Sequence, residues 1–258
     1  MRYFQSNESR SDGRQNSRAG RSLCTVALAA GILGLVSRPC AGQQAAVRGV
    51  DPTRPSAPIE RLAPDRLRVG HILIDTSKKE LLVPGTVNEA LTLEFVANPK
   101  GGFKAYESAL ELDTDGVNFN LALILLGLDP ARSVPAKMHL DATPPQGDPV
   151  EVWVAWEEGG RQVKVRAEQL IYNTQTKQTL SEGPWVYTGS VFSAQNNAYL
   201  ADLEGSLIGF VHTPAPVIES PRPLNPGDYG ANRLNPNLNL KPGTRITLTV
   251  RALPRDGK

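Results

Sequence analysis

Three glutamates fall on the polar side of two neighbouring alternating stretches: Glu94 in Leu91-Thr-Leu-Glu-Phe-Val-Ala97, and Glu107 and Glu111 in Tyr106-Glu-Ser-Ala-Leu-Glu-Leu112. Paired carboxylates do acid–base work when their surroundings separate their pKa values, and they also hold hard cations such as calcium. The plain alternative is a solvated, charged face. Between the two stretches stands Gly101-Gly102-Phe103-Lys104-Ala105, a sequence in which glycines either let a ligand approach the backbone or make a turn. Asp202-Leu-Glu204-Gly205 offers oxygen ligands at a turn, but without the spacing of a calcium loop.

Other chemistries lack a motif. His71, His139 and His212 stand alone, with no His-Glu-x-x-His, so a histidine metal site depends on the fold bringing distant residues together. Thr188-Gly189-Ser190 is not a Gly-x-Ser-x-Gly elbow, and nothing selects one serine as a nucleophile. No Gly-rich phosphate loop precedes a helix. Trp153, opposite Val152, Val154 and Trp156, is either an exposed aromatic for a partner or sugar, or a cover for the second face of a sheet.

The elements that must position these residues are mostly strands. His71–Asp75 and Glu80–Val87 read as strands, the second interrupted at Pro84-Gly85. A two-residue Gly101-Gly102 turn pairs Leu91 with Leu112, Leu93 with Leu110, Phe95 with Ser108 and Ala97 with Tyr106 as a hairpin. That register makes Glu94 and Glu107 diagonal neighbours; a four-residue loop would set them directly opposite, which like charges disfavour. Val117–Leu128 is a buried apolar helix, capped by Asp115 and stopped by Asp129-Pro130. A short strand is expected over Lys137–Asp141. A hairpin turning at Gly159-Gly160 joins Val150–Glu157 to Arg161–Arg166, with Trp156 opposite Val163, Val154 opposite Val165, and Trp153 opposite Arg166 in a cation–π contact.

Glu168–Tyr172 reads as a helical turn and Trp185–Phe192 as a strand. Tyr199–Leu203 and Leu207–His212 read as a hairpin around Glu204-Gly205-Ser206. Residues 213–243 hold seven prolines and many asparagines and read as an irregular excursion; Thr244–Leu253 is a closing strand, and 254–258 a tail. The expected fold is α+β: a predominantly antiparallel β-sheet built from hairpins, with one buried apolar helix at about 117–128.

Ahead of this domain, over 67–253, lie two further segments. Ser22–Ser37, flanked by Arg21 and by Arg38-Pro39-Cys40-Ala41-Gly42, reads as a secretory signal over residues 1–42. As a helix its 16 residues span about 24 Å, short of a hydrocarbon core of roughly 30 Å. Cleavage after Gly42 places Cys40 and Gly42 where small side chains are needed; a lipid anchor on Cys40 is the rival. Residues 43–66, with four prolines, read as an extended disordered linker.

Removing the leader takes six of the 28 Lys+Arg and two of the 26 Asp+Glu, leaving 22 basic against 24 acidic residues. The mature chain is slightly acidic, which argues against a nucleic-acid partner. It also has no cysteine, which excludes disulfides, thiolate catalysis and Cys-ligated zinc or iron–sulfur sites. No cofactor is expected, and no transmembrane span remains after signal removal.

Several segments, in order, resemble the YdjY domain, a family of exported bacterial proteins without an established biochemical activity. They are Leu82-Val-Pro-Gly-Thr-Val-Asn88, Gly101-Gly102 with Tyr106-Glu107-Ser108, Leu121–Leu128, Trp185-Val-Tyr-Thr-Gly-Ser190 and Ala201-Asp-Leu-Glu-Gly205, within about residues 70–220. Family members often carry His-Glu where this chain has Tyr106-Glu107, so a role that needs that imidazole does not carry over. Nor do the cysteine clusters of some relatives. The resemblance points to Glu107, Ser108, Trp185, Ser190 and Asp202 as residues beside which a ligand or partner binds. The expectation is a non-enzymatic exported domain, periplasmic or extracellular, that binds an unknown protein or small molecule. The alternative is a hydrolase or metal-dependent enzyme using Glu107, Asp202 and an isolated histidine.

Overall fold

The computed structural model describes residues 56–222 and 229–255. The leader with both cysteines, and the first part of the Pro-rich stretch, lie outside the described residues. In chain order the elements are β1 (Ile59–Ala63), β2 (Arg66–Val69), β3 (Ile72–Asp75), β4 (Glu80–Val87), β5 (Phe95–Pro99), β6 (Ser108–Leu112) and α1 (Gly116–Leu126). Then come β7 (Asp148–Glu158), β8 (Arg161–Arg166), β9 (Ile171–Asn173), β10 (Trp185–Tyr187), α2 (Leu200–Leu203), β11 (Ile208–Gly209), β12 (Ile218–Glu219), β13 (Asn232–Leu234) and β14 (Arg245–Ala252).

Strands β4-β14-β7-β10-β12-β11-β5-β6 close on β4 to form a barrel of eight strands. The β1-β2-β3 meander extends from β4, β8 flanks β7, and β13 pairs with β9 in a separate ribbon. Alternation in the sequence explains the wall. Leu81, Val250 and Val152 form one cross-strand row and Val83, Leu248 and Val154 the next, all six fully buried. The opposite face carries Glu80, Arg251 and Glu151, tied by ion pairs. Gly85 sits where β6 crosses β4; a Cβ there would stand 2.4 Å from the Glu111 carbonyl oxygen.

Helix α1 forms with the expected Asp115 cap but ends at Leu126, two residues before the expected Leu128, stopped by Gly127 and not by Asp129-Pro130. Asp115 accepts from the Asn118 N–H at 2.7 Å, and Gly127 ends the helix in the left-handed region at φ +105°. The second hairpin also forms as read, with Trp156 opposite Val163, Val154 opposite Val165 and Trp153 opposite Arg166. The Arg166 guanidinium lies 5.4 Å from the Trp153 ring centroid. The partly covered Trp153 also receives Lys164 at 5.5 Å, so it lines the outer charged face of the wall.

Several expectations are corrected. The sheet is not a set of hairpins: β5 and β6 run parallel, and so do β11 and β12. The Gly101-Gly102 turn does not join antiparallel strands, because Phe103–Glu107 winds into a 3₁₀ turn that returns the chain and starts β6 at Ser108. Phe95 still faces Ser108, in a parallel register. Strand β4 runs unbroken through Pro84-Gly85, which face Thr247 and Ile246. Order begins before residue 67, since β1 lies inside the stretch read as a disordered linker. Leu200–Leu203 is helical, not a hairpin arm, and strand β10 stops at Tyr187 because Gly189 and Ser190 turn at φ +70° and +56°. The excursion over 213–243 supplies β12 and β13.

No strand forms over Lys137–Asp141. This segment is the crest of a strap closed at its base by the Val134–Gln146 bridge. The Asp141 carboxylate accepts from Lys137 and Thr143 N–H groups at 2.9 Å each, bending the crest. His212 docks it: its carbonyl accepts from Leu140 N–H at 2.8 Å, and its Nδ1 lies 2.8 Å from the Asp141 carbonyl oxygen. Among the described residues, no helix is long and apolar enough to cross a membrane.

Candidate functional site

The parallel register that matches Phe95 with Ser108 also sets the residues before them side by side. Glu94 N–H donates to the Glu107 carbonyl at 2.9 Å, and each glutamate is only 8% exposed. Neighbouring carboxylates repel, more strongly as they leave water. Lys104, on the 3₁₀ turn, answers Glu107 with an ion pair of 2.5 Å. Burial works against the Lys104 ammonium, but the bond to Glu107 outweighs it and raises the pKa above the ordinary lysine value. Ser108 fixes this turn, its hydroxyl donating to the Lys104 carbonyl at 2.8 Å.

Glu94 has different company. His139, from the crest of the strap, brings Nε2 to 3.4 Å from Glu94 Oε2. Interaction with the Glu94 carboxylate, with burial and the charge of Glu107, raises the Tyr229 hydroxyl pKa. The His139 and Tyr229 rings meet edge to face at 5.8 Å. On the other side, the Lys104 ammonium lies 5.5 Å from the Phe95 ring centroid and 5.9 Å from that of Tyr106. Phe103 packs edge-on to Tyr106 at 5.8 Å. Phe103, Tyr106 and Tyr229 remain 73%, 55% and 47% exposed, so two sequestered carboxylates sit beneath a rim of open aromatic rings.

The other sequence-derived candidates have partners elsewhere. Asp202 Oδ1 accepts from Gly116 N–H at 2.5 Å, so it caps α1 together with Asp115. Burial, with Asp115 nearby, raises its pKa despite that bond. Ser190 donates to the Ala215 carbonyl at 2.6 Å. Trp185 is fully buried, with the Arg222 guanidinium 5.4 Å from its ring centroid. Glu111 accepts from Gly101 N–H at 3.0 Å at the far end of β6. His71 pairs with Asp113 at 3.2 Å, and His212 lies between the Asp141 and Ser220 carbonyls. The histidine beside the glutamate pair is therefore His139, while Asp202 belongs to the helix terminus. Among the described residues, no three His, Cys, Asp or Glu side chains are grouped so as to hold a metal ion.

The segments that carry the resemblance meet in space, chiefly as supports. Gly205 turns at φ +70° against the Gly102–Phe103 backbone, where a Cβ would come within 2.4 Å of Phe103 N. At Gly116 a Cβ would stand 2.9 Å from Asp202 Oδ1. The Tyr187 hydroxyl donates to Asn120 on α1 at 2.6 Å, and the Tyr199 hydroxyl to the Gly189 carbonyl at 2.8 Å. These contacts lock α1, α2 and the turn that holds Lys104. Sequence reasoning found Glu94 and Glu107, named His139 only as one of three lone histidines without choosing among them, and missed Tyr229. Both lie in irregular segments where no period or spacing marks them; an aromatic or imidazole among turn residues is the only trace.

Fold and cluster together define a β-barrel domain with an aromatic-rimmed pair of carboxylates at its surface. The chain belongs to the YdjY domain family, whose model matches residues 72–251. That span holds all eight barrel strands but for the last residue of β14, Ala252, and every member of the cluster, and leaves out β1 and β2. No curated protein and no solved structure matches the chain.

Proposed function

We propose that this domain is an exported binding module, not an enzyme, and that its ligand-contacting surface is the cluster of Glu94, Lys104, Tyr106, Glu107, His139 and Tyr229. One observation carries the reading: three large aromatic rings stay open to solvent around two carboxylates that the fold has withdrawn from it. Such a surface offers apolar contact area with a few directed polar groups, the composition of a recognition site. The enzyme alternative needs Glu107, Asp202 and a histidine together, and Asp202 is instead engaged with the α1 terminus, away from Glu107 and His139. The exported setting rests on the apolar leader before Gly42.

The test has two arms on the purified chain without its leader. Fluorogenic esters, phosphoesters, glycosides and peptides are assayed with and without calcium, manganese or zinc; turnover that disappears in Glu107→Gln or Asp202→Asn overturns the binding reading. Amide chemical shifts are then mapped against a fragment set of neutral, anionic and cationic members. Shifts centred on Lys104, Tyr106, His139 and Tyr229 support it. Shifts centred on the groove lined by His71, Lys100, Asp113 and Asn118 move the site there and overturn it.

A further inference from the structure

We infer that the cluster recognises an organic cation, an alkylammonium or guanidinium group, which it seats against Glu94 beside Tyr229 and His139. The inference rests on the binding-surface reading above and names its ligand chemistry. The first argument is a charge count. The Glu94 and Glu107 side chains are each only 11% exposed, yet the cluster supplies one permanent cation, Lys104, and that ammonium is placed on Glu107. Glu94 is met by the Tyr229 phenol and by an imidazole at 3.4 Å whose ring is half exposed. A withdrawn carboxylate calls for a counter-charge. The two rings beside Glu94 are both half open to solvent, the His139 side chain at 49% and Tyr229 at 47%.

The second argument is independent of that count. The fold already shows what an ammonium finds attractive here: Lys104 Nζ sits near the ring centroids of Phe95 and Tyr106 while bonded to Glu107. That is a carboxylate and aromatic faces arranged around a cation, the recurrent way proteins bind ammonium groups. Lys104 is thus a ligand surrogate supplied by the chain itself. Tyr229 and His139 repeat the same elements around Glu94, with no permanently charged group supplied. The net charge of the cluster repels an anion, and the absence of a third convergent ligand among the described residues disfavours a bare metal ion.

The same chemistry reaches the site either on a small amine or on a lysine or arginine side chain of a partner. Both sources enter the test, which titrates the purified chain and reads amide shifts. The probes are n-butylammonium, n-butylguanidinium, and end-blocked Ala-Ala-Lys-Ala-Ala and Ala-Ala-Arg-Ala-Ala, against n-butanol and butyrate. Binding by the cations but not by butanol or butyrate is expected. Glu94→Gln, which keeps a partner for Tyr229, is expected to weaken it about tenfold or more. Lys104→Met is expected to tighten it, because it vacates the cage and leaves Glu107 unpaired. A purely structural lysine would give no such gain. Should Glu94→Gln fail to fold, Tyr229→Ala at the exposed ring beside Glu94 carries the test, with several-fold weaker binding expected.

A peptide that binds more tightly than the small cations assigns the site to a protein side chain, and the reverse order to a free amine. Equal binding of butyrate, indifference to Glu94→Gln, or weaker binding in Lys104→Met overturns the inference. Neutral or anionic fragments that bind this surface while the cations do not would sink the cation and leave the binding surface standing.

Discussion

Glu219 offers the sharpest quantitative test of how this barrel is held together. It lies on β12, fully buried, with Oε1 accepting from Thr213 N–H at 3.0 Å and Oε2 without a hydrogen-bond partner. The Ala136 N–H also favours the carboxylate, but burial outweighs both, and Asp141 nearby adds repulsion. The pKa is pushed up to about 8. The folded chain therefore keeps this proton where the unfolded chain has released it. Below the ordinary value of 4.5 both states are protonated and Glu219 costs nothing electrostatically. As pH rises from there to about 8, folding stability falls by about 1.4 kcal/mol per pH unit, roughly 3 kcal/mol by neutral pH and about 5 kcal/mol in all. Glu219→Gln keeps a carbonyl oxygen for Thr213 and has no proton to lose. The variant should match the wild type to within a constant offset near pH 4 and exceed it by about 3 kcal/mol more at pH 7. Urea unfolding at pH 4, 5, 6 and 7 measures this difference directly, and the remaining carboxylates cancel because both proteins share them. A difference that does not change with pH refutes the argument. So does a variant that loses ground as pH rises, since Glu219 would then be ionised and stabilised by its N–H donors.

Three further outcomes follow from contacts in the barrel. Gly205→Ala forces a methyl group to within 2.4 Å of Phe103 N at a positive φ, and should cost about 3 kcal/mol or more in thermal or urea unfolding; a neutral result refutes the close approach. Asp202→Ala removes one of the two α1 caps and should cost about 1–2 kcal/mol while leaving n-butylammonium binding unchanged; a loss of binding would tie Asp202 to the site after all. His212→Ala releases the crest of the strap at a cost of about 2–4 kcal/mol, and hydrogen exchange should show the Leu140 amide losing protection before the β7 and β14 amides do.

What was legible in the sequence was whatever is settled within a dozen residues. The β7–β8 hairpin follows from strict alternation on both sides of Gly159-Gly160, which turn at φ +56° and +77°. Helix α1 follows from Asp115 and a mostly apolar run, although its stop at Gly127 falls two residues before the end that Asp129-Pro130 suggested. The Leu91–Leu112 stretch looked equally clear and misled. Its alternation includes Tyr106, which lies on a 3₁₀ turn and faces water, so the apparent period continued through a place where the chain reverses. Barrel closure was out of reach because its two-residue strands, β11 and β12, have no period of their own and are fixed by their neighbours. The site was half legible for the same reason. Glu94 and Glu107 stood out as a pair, whereas His139 reaches Glu94 from the crest of a strap held by His212, and Tyr229 comes from a segment much further along the chain.

The place of β14 in the wall carries a consequence for how the chain acquires its structure. This strand is inserted between β4 and β7, so Leu248 faces Val83 on one side and Val154 on the other. Until Arg245–Ala252 arrives, both neighbours present bare hydrogen-bonding edges, and no earlier segment supplies the missing rows of apolar side chains. Pairings of such long sequence separation make for slow folding, because the entropy of closing the intervening loop is lost before the contacts repay it. Folding of the wall is therefore gated by its last strand. With Arg245–Ala252 withheld, β4 and β7 cannot be joined, so the pairing of this strand is the event that closes the barrel.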